Sequence, residues 1–203
     1  MEYKFSDRVL NLKPSAIREI FKYAADPSYI SLSAGNPAPE AFPAKELAEI
    51  SAKLMQDEPI LALQYSQTEG YIPLRRHLQK YMKETHNVGR DFDDIIITTG
   101  AQQVMDLFSK SILNEGETVI CEAPSFIGSL NDFRSYQAKL VGIPMDGDGM
   151  NMEALEKALQ TEKNVKFIYT IPNFQNPSGI TMSLAKRKKL YELAKQYGVM
   201  ILE

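Results

Sequence analysis

The sequence predicts an α/β fold: a largely parallel sheet with helices on both faces. Two observations predict it. From Asp94 onward, short apolar runs alternate with segments of helical periodicity. The runs DDIIITTG, TVICE, KFIYTI and VMILE read as buried strands, and strands that alternate with helices imply a parallel sheet covered on both sides.

The elements follow in order. Residues 15–23 form a short helix after Pro14, and SLSAGNPAPEAFP (31–43) is an irregular, Pro- and Gly-rich loop. A helix follows with Pro43 in its first turn and Leu47, Ile50 and Leu54 at helical spacing. Tyr65 to Tyr71 is a second loop, and Pro73 opens a helix with Leu74, Leu78 and Tyr81 on one face. The first strand runs through DDIIITTG to Gly100, and a helix then spans Gln102 to Leu113. Thr118–Glu122 is a strand, 127–136 a helix and Lys139–Ile143 a strand. Asn151 caps a helix carrying Met152, Leu155 and Leu159. Lys166–Ile171 is a strand, Ser183 caps a helix carrying Leu190, Leu193, Ala194 and Tyr197, and VMILE is the last strand. No repeat or low-complexity segment interrupts this order.

Composition narrows the class. With 203 residues, 44 % apolar and 24 % charged, the chain can build one sizeable core. A net charge of -3 gives no basic field to attract nucleic acid or anionic lipid. No apolar run approaches the roughly 20 residues that span a bilayer, and the N-terminus has no signal-peptide pattern. Cys121, the only cysteine, fits a reducing cytoplasm and reads as a small core residue.

Three segments carry chemistry, each after a strand. TTGAQQVMD (98–106) places a glycine turn before a helix, whose exposed N–H groups suit a phosphate; an ordinary βα turn has the same pattern. EAPSFIG (122–128) offers the flat face of Phe126 for stacking, or simply a core phenylalanine. PNFQNPSG (172–179) makes a sharp turn from which Asn176 either projects a neutral amide into the crevice or caps its own turn. Phosphate donors, a flat ring and an amide donor together suit a planar, phosphorylated phenolic aldehyde, and pyridoxal 5′-phosphate (PLP) is that molecule.

The series SLSAGNPAPEAFP, ALQYSQTEGYIPLR, TTGAQQ, EAPSF and PNFQNPSG resembles the class I/II, fold-type I PLP-dependent aminotransferases, nearest the kynurenine/2-aminoadipate group. The resemblance covers nearly the whole chain. It implies that residues 1–45 are an N-terminal arm with a substrate loop, and that 46–203 are the N-terminal part of the PLP-binding large domain. Ala101 and Gln102 would hold the cofactor phosphate, Phe126 would stack on its ring, and Asn176 would bond its phenolic oxygen. Tyr65 would reach the phosphate of the neighbouring subunit's cofactor, implying a homodimer with shared sites. Gly35 would present backbone to the substrate carboxylate, and Arg18 would line the entrance. Substrates would be an amino acid and a 2-oxo acid, in the cytoplasm, with no nucleic acid, membrane or metal partner.

The same resemblance implies an absence. The aspartate that pairs with the pyridine nitrogen would come just after Glu203, and the Schiff-base lysine further on, so no catalytic residue is expected in this chain. Lys110, in FSKS, imitates the lysine's context but lies about 12 Å along a helix from its start. His77 and His86 stand nine residues apart without a zinc pattern, and neither a P-loop nor G-x-S-x-G occurs. The run Lys186-Arg187-Lys188-Lys189 reads as a solvated helix face. The strands that would lie between VMILE and the first strand also come later, so the 203 residues alone are expected to leave the first strand unpaired and to self-associate or dissolve poorly. Two other readings share the resemblance: a PLP-dependent lyase, and the PLP- and amino-acid-binding domain of a transcription regulator.

Overall fold

The computed structural model describes residues 3–10, 12, 26, 28 and 37–203. The chain divides into two compact units, one of Met1–Pro14 with Thr99–Glu203 and one of Ser15–Thr98. The division at 45 and 46 drawn from sequence lies inside the second unit, and the helix expected at 15–23 lies outside the described residues.

The first unit is the α/β body. After α1 (Asp7–Leu10), it comprises α5 (Gly100–Ile112), β1 (Thr118–Ala123), α6 (Ile127–Ser135), β2 (Lys139–Asp146), β3 (Gly149–Met150), α7 (Met152–Thr161), β4 (Val165–Tyr169), α8 (Leu184–Tyr197) and β5 (Met200–Leu202). Strand order is β3-β2-β1-β4-β5. Every pairing is parallel except β2 with β3, where Asp146 opposes Gly149.

The alternation of side chains across each strand builds two cores. On β1, Val119 and Cys121 face one side and Ile120 the other; on β4, Phe167 and Tyr169 oppose Ile168 in the same way. Met105 of α5 and Phe133 of α6 close the first core, and Leu155 of α7 and Leu193 of α8 close the second. Phe133 meets both Phe167 and Tyr169 edge-on, with ring centroids 5.3 and 5.4 Å away. Burial on both faces explains why these strands are apolar at successive positions.

Local signals set the helix starts. The Asn151 side chain accepts from the Ala154 N–H at 2.8 Å, and the Ser183 hydroxyl accepts from the Lys186 N–H at 3.4 Å. Gly198 ends α8 in the left-handed conformation at φ 65°. The basic run of α8 is largely committed within the fold. Lys186 pairs with Asp146 and Asp148, and the Arg187 guanidinium donates to Met182 O and Pro172 O, both at 2.9 Å.

The second unit holds a short 3₁₀ turn (Pro39–Ala41), α2 (Ala44–Asp57), α3 (Pro59–Leu63) and α4 (Ile72–His86). Pro43 stands at the N-cap of α2, and Asn87 closes α4 at φ 52°. Arg75 of α4 donates to Ile95 O at 2.6 Å and pairs with Asp94, while Gln79 donates to Asp94 at 3.0 Å. No described residue of this unit is buried.

Two expectations are corrected. The first strand, expected from Asp94 to Gly100, is not a strand: residues 93–98 are irregular, and Gly100 already begins α5. Strand geometry needs a ladder partner, and the run takes part in no ladder of the five-stranded sheet. The Ile97 N–H instead donates to Glu69 O at 2.9 Å. Second, β2 extends to Asp146 and returns through the β3 hairpin, whose turn is made by Gly147 and Asp148.

Candidate active site

The three segments singled out in the sequence meet within the first unit, where α5 begins and β1 and β4 end. At the start of α5, Gly100 takes φ 74°, a left-handed value that a side chain resists. Thr99 makes no side-chain cap; its own N–H goes to the Gln103 amide at 2.6 Å. Ala101 and Gln102 therefore sit in a first turn that no side chain of Thr99 covers, and both are exposed. The Gln102 side chain is turned toward α6. It donates to Asp132 and, at 3.4 Å, to Gly128 O. Burial, then the charge of Asp106, push the Asp132 carboxyl up to about 6, against the lowering effect of the Gln102 bond.

The second segment leaves β1 through a cis Ala123–Pro124 bond and reaches α6 with Phe126 at its N-cap. The Phe126 ring lies over Gly128. A Cβ at residue 128 would sit 2.5 Å from Phe126 Cε1 and 2.9 Å from Gln102 Oε1, so a glycine lets the ring and the amide approach together. The neighbouring Ser125 hydroxyl is buried without a hydrogen-bond partner among the described residues.

The third segment closes on itself between β4 and α8. Met182 N–H donates to Pro172 O at 2.8 Å, Gln175 N–H donates to Ile180 O at 2.9 Å, and Arg187 fastens the base of the loop. At its tip the Asn176–Pro177 bond is cis. The turn is capped by Gln175, whose Oε1 accepts from the Ser178 N–H at 2.8 Å, and the Asn176 side chain is exposed. Of the two roles open to Asn176 from sequence, capping of the turn thus falls to its neighbour.

Two buried polar residues that the motifs did not single out join the second and third segments. Glu122 and Gln175 are each 1 % exposed. The Glu122 carboxyl accepts from the Thr170 hydroxyl at 2.6 Å, the Ile171 N–H at 3.2 Å and the Gln175 amide at 3.0 Å. The Gln175 amide nitrogen also donates to Pro124 O at 2.8 Å. The signal for Glu122 was present: an acidic residue inside TVICEA, an otherwise apolar strand, needs partners.

The remaining expected positions do not belong to these three segments. Tyr65 belongs to the second unit, in the loop between α3 and α4, and is 100 % exposed. Gly35 and Arg18 lie outside the described residues. Lys110 is exposed in the last turn of α5, as a helix-surface lysine should be. Among the described residues no group of His, Cys, Asp and Glu could hold a metal ion, and no helix is long and apolar enough to cross a membrane.

Comparison with known proteins gives this arrangement its family. The aromatic-amino-acid aminotransferase 1 of Thermococcus litoralis is 41 % identical over 206 residues, covering 100 % of this chain and 49 % of that protein. The 2-aminoadipate transaminase of Thermus thermophilus is 38 % identical, over 95 % of this chain and 47 % of its own length. The crystal structure of Pyrococcus horikoshii kynurenine aminotransferase, in complex with PMP, superposes with a TM-score of 0.90 at 38 % identity, covering 98 % of this chain and 50 % of that one. The chain thus spans about half the length of the relatives it matches. The family model for aminotransferase class I and II matches residues 27–202, and the chain belongs to that family.

Proposed function

We propose that this chain supplies the cofactor cradle of a PLP-dependent aminotransferase, which moves an amino group between an amino acid and a 2-oxo acid. The observation that carries the reading is the meeting of three segments: an uncapped helix start, an aromatic face and an uncommitted amide. The residues present fit the cofactor. The first turn of α5, at Ala101 and Gln102, offers N–H groups to a phosphate. Phe126 offers a ring face, and the exposed Asn176 amide offers a donor to a phenolic oxygen. The orphaned Ser125 hydroxyl marks a further polar point beside Phe126.

In this reading the cofactor, when bound, supplies an electron sink for cleavage at the amino acid Cα. Ala101, Gln102, Phe126 and Asn176 hold and orient it. Tyr65 serves the cofactor of a second subunit in a homodimer, and Gly35 and Arg18 serve the substrate. The protein works in the cytoplasm, a placement supported by its single, buried, unpaired cysteine.

The test uses the complete product of the reading frame. It is incubated with PLP, freed of excess and assayed for conversion of 2-oxoglutarate with aromatic amino acids or 2-aminoadipate as donors. Retained cofactor with amino transfer supports the proposal. Retained cofactor with elimination products instead points to a lyase, and no retention overturns it.

A further inference from the structure

Gln175 belongs to the loop after β4 and bonds the start of the loop after β1. Its amide nitrogen donates to Glu122 at 3.0 Å and to Pro124 O at 2.8 Å, and its carbonyl oxygen accepts from the Ser178 N–H at 2.8 Å. Pro124 lies two residues before Phe126, and Ser178 lies two residues after Asn176. A single buried amide therefore links the backbone that carries the ring to the backbone that carries the amide donor.

Glu122 fixes which way this amide points. A carboxyl oxygen that already takes the Ile171 N–H accepts from a nitrogen and repels a carbonyl oxygen, so the Gln175 oxygen is left facing Ser178. Thr170 and Ile171 hold Glu122 in turn, which anchors the network on the ends of β1 and β4. Glutamine suits this post because it offers two donors and an acceptor without charge. Methionine has the length but none of the bonds, and glutamate would set a second carboxyl against Glu122.

We propose that Gln175, oriented by Glu122, is a positioning residue that sets the distance between the Phe126 ring and the Asn176 amide, and with it the slot for a planar, phenolic, phosphorylated heterocycle. The inference rests on the cofactor reading above for the identity of the ring. It assigns Gln175 and Glu122 no contact with the ligand. Their effect falls on the ring end of the slot and spares the phosphate end, which α5 builds from separate atoms.

The experiment measures the affinities of pyridoxamine phosphate and inorganic phosphate for the complete product of the reading frame. Pyridoxamine phosphate carries the ring, the phenolic oxygen and the phosphate but no aldehyde, so its affinity reports the slot without a covalent bond to the protein. Gln175→Met is expected to weaken pyridoxamine phosphate by about ten-fold or more, as a misplaced contact pair does. Inorganic phosphate should stay within about two-fold, because the α5 start is untouched. Glu122→Gln should shift the ratio in the same direction. Where the methionine variant does not fold, Glu122→Gln, which keeps the size and removes the charge, carries the test alone. Equal losses for both ligands, or no loss for pyridoxamine phosphate, overturn the proposal. Wild-type protein that binds neither ligand overturns the cofactor reading instead.

Discussion

The Gln102 side chain donates to the Asp132 carboxyl, tying the first turn of α5 to the middle of α6. This places an acidic group beside the helix start that would receive a phosphate. Burial, then Asp106, hold Asp132 up to about 6, above its ordinary value of 3.8. A carboxyl raised in the folded state binds its proton more tightly there than in the unfolded chain. Its contribution therefore favours folding as pH falls from about 6 to about 4, and disfavours folding above about 6. Asp132→Asn should stabilise the protein at pH 7, by at most about 1 kcal/mol because the half-exposed group is screened by solvent. The gain should vanish near pH 4. Urea unfolding at the two pH values measures it, and an equal gain at both would show that the charge is not the cause. Phosphate affinity at pH 7 should rise in the same variant.

Gly128 lets both the Phe126 ring and the Gln102 amide come close to residue 128. In Gly128→Ala the new methyl group would meet ring and amide at once. The ring must turn away, at a cost of about 1–3 kcal/mol for an overfilled site. Pyridoxamine phosphate binding should weaken with it. Phe126→Leu in the same chain should return stability without returning affinity. A double-mutant cycle separates the two effects, and additive losses would mean that residues 126 and 128 do not meet.

Much of the first unit was legible from residues whose signals are local. Asn151 and Ser183 announced their helices because a cap needs only its own next turn. The strand cores were legible because continuous apolarity has few alternatives at that length. The run at residues 94–98 failed for the opposite reason: its apolarity is strand-like, but pairing depends on a neighbour, which periodicity cannot report. The β3 hairpin was too short to show a pattern. In the site, Asn176 stood out through the Asn, Pro and Gly around it, and Phe126 only as an aromatic ring just after a strand. Gln175 did not, since nothing in a neutral amide between Phe174 and Asn176 tells that it folds inward to Glu122.

Gly149 shows another constraint that only tertiary structure reveals. It takes φ 124° in the hairpin, and a Cβ there would lie 2.8 Å from Met182 Cγ and 3.2 Å from Met182 Cα. Gly149→Ala should destabilise the protein by at least about 1–3 kcal/mol from the backbone alone. Gly147, two residues earlier, has open space at its Cβ, and Gly147→Ala should stay within about 0.5 kcal/mol of wild type. Thermal melts of the two variants compare them directly. Equal melting points would deny the close approach of the hairpin to Met182.

The 203 residues expressed by themselves should self-associate. On α2, Leu47 and Ile50 are 56 % and 62 % exposed, and on α3 Ile60 and Leu63 are exposed further still. Apolar groups gathered on successive helices lower their free energy by association. The outer edge of β5 adds to this, since it has no strand beyond it among the described residues and offers backbone donors and acceptors to another chain. Light scattering across a dilution series should give a mass above that of one chain, falling with dilution. Leu47→Lys with Ile50→Lys should reduce the association driven by α2 and leave the part driven by the edge. A single-chain mass at every concentration, with a cooperative melt, would show that these surfaces are satisfied without a partner.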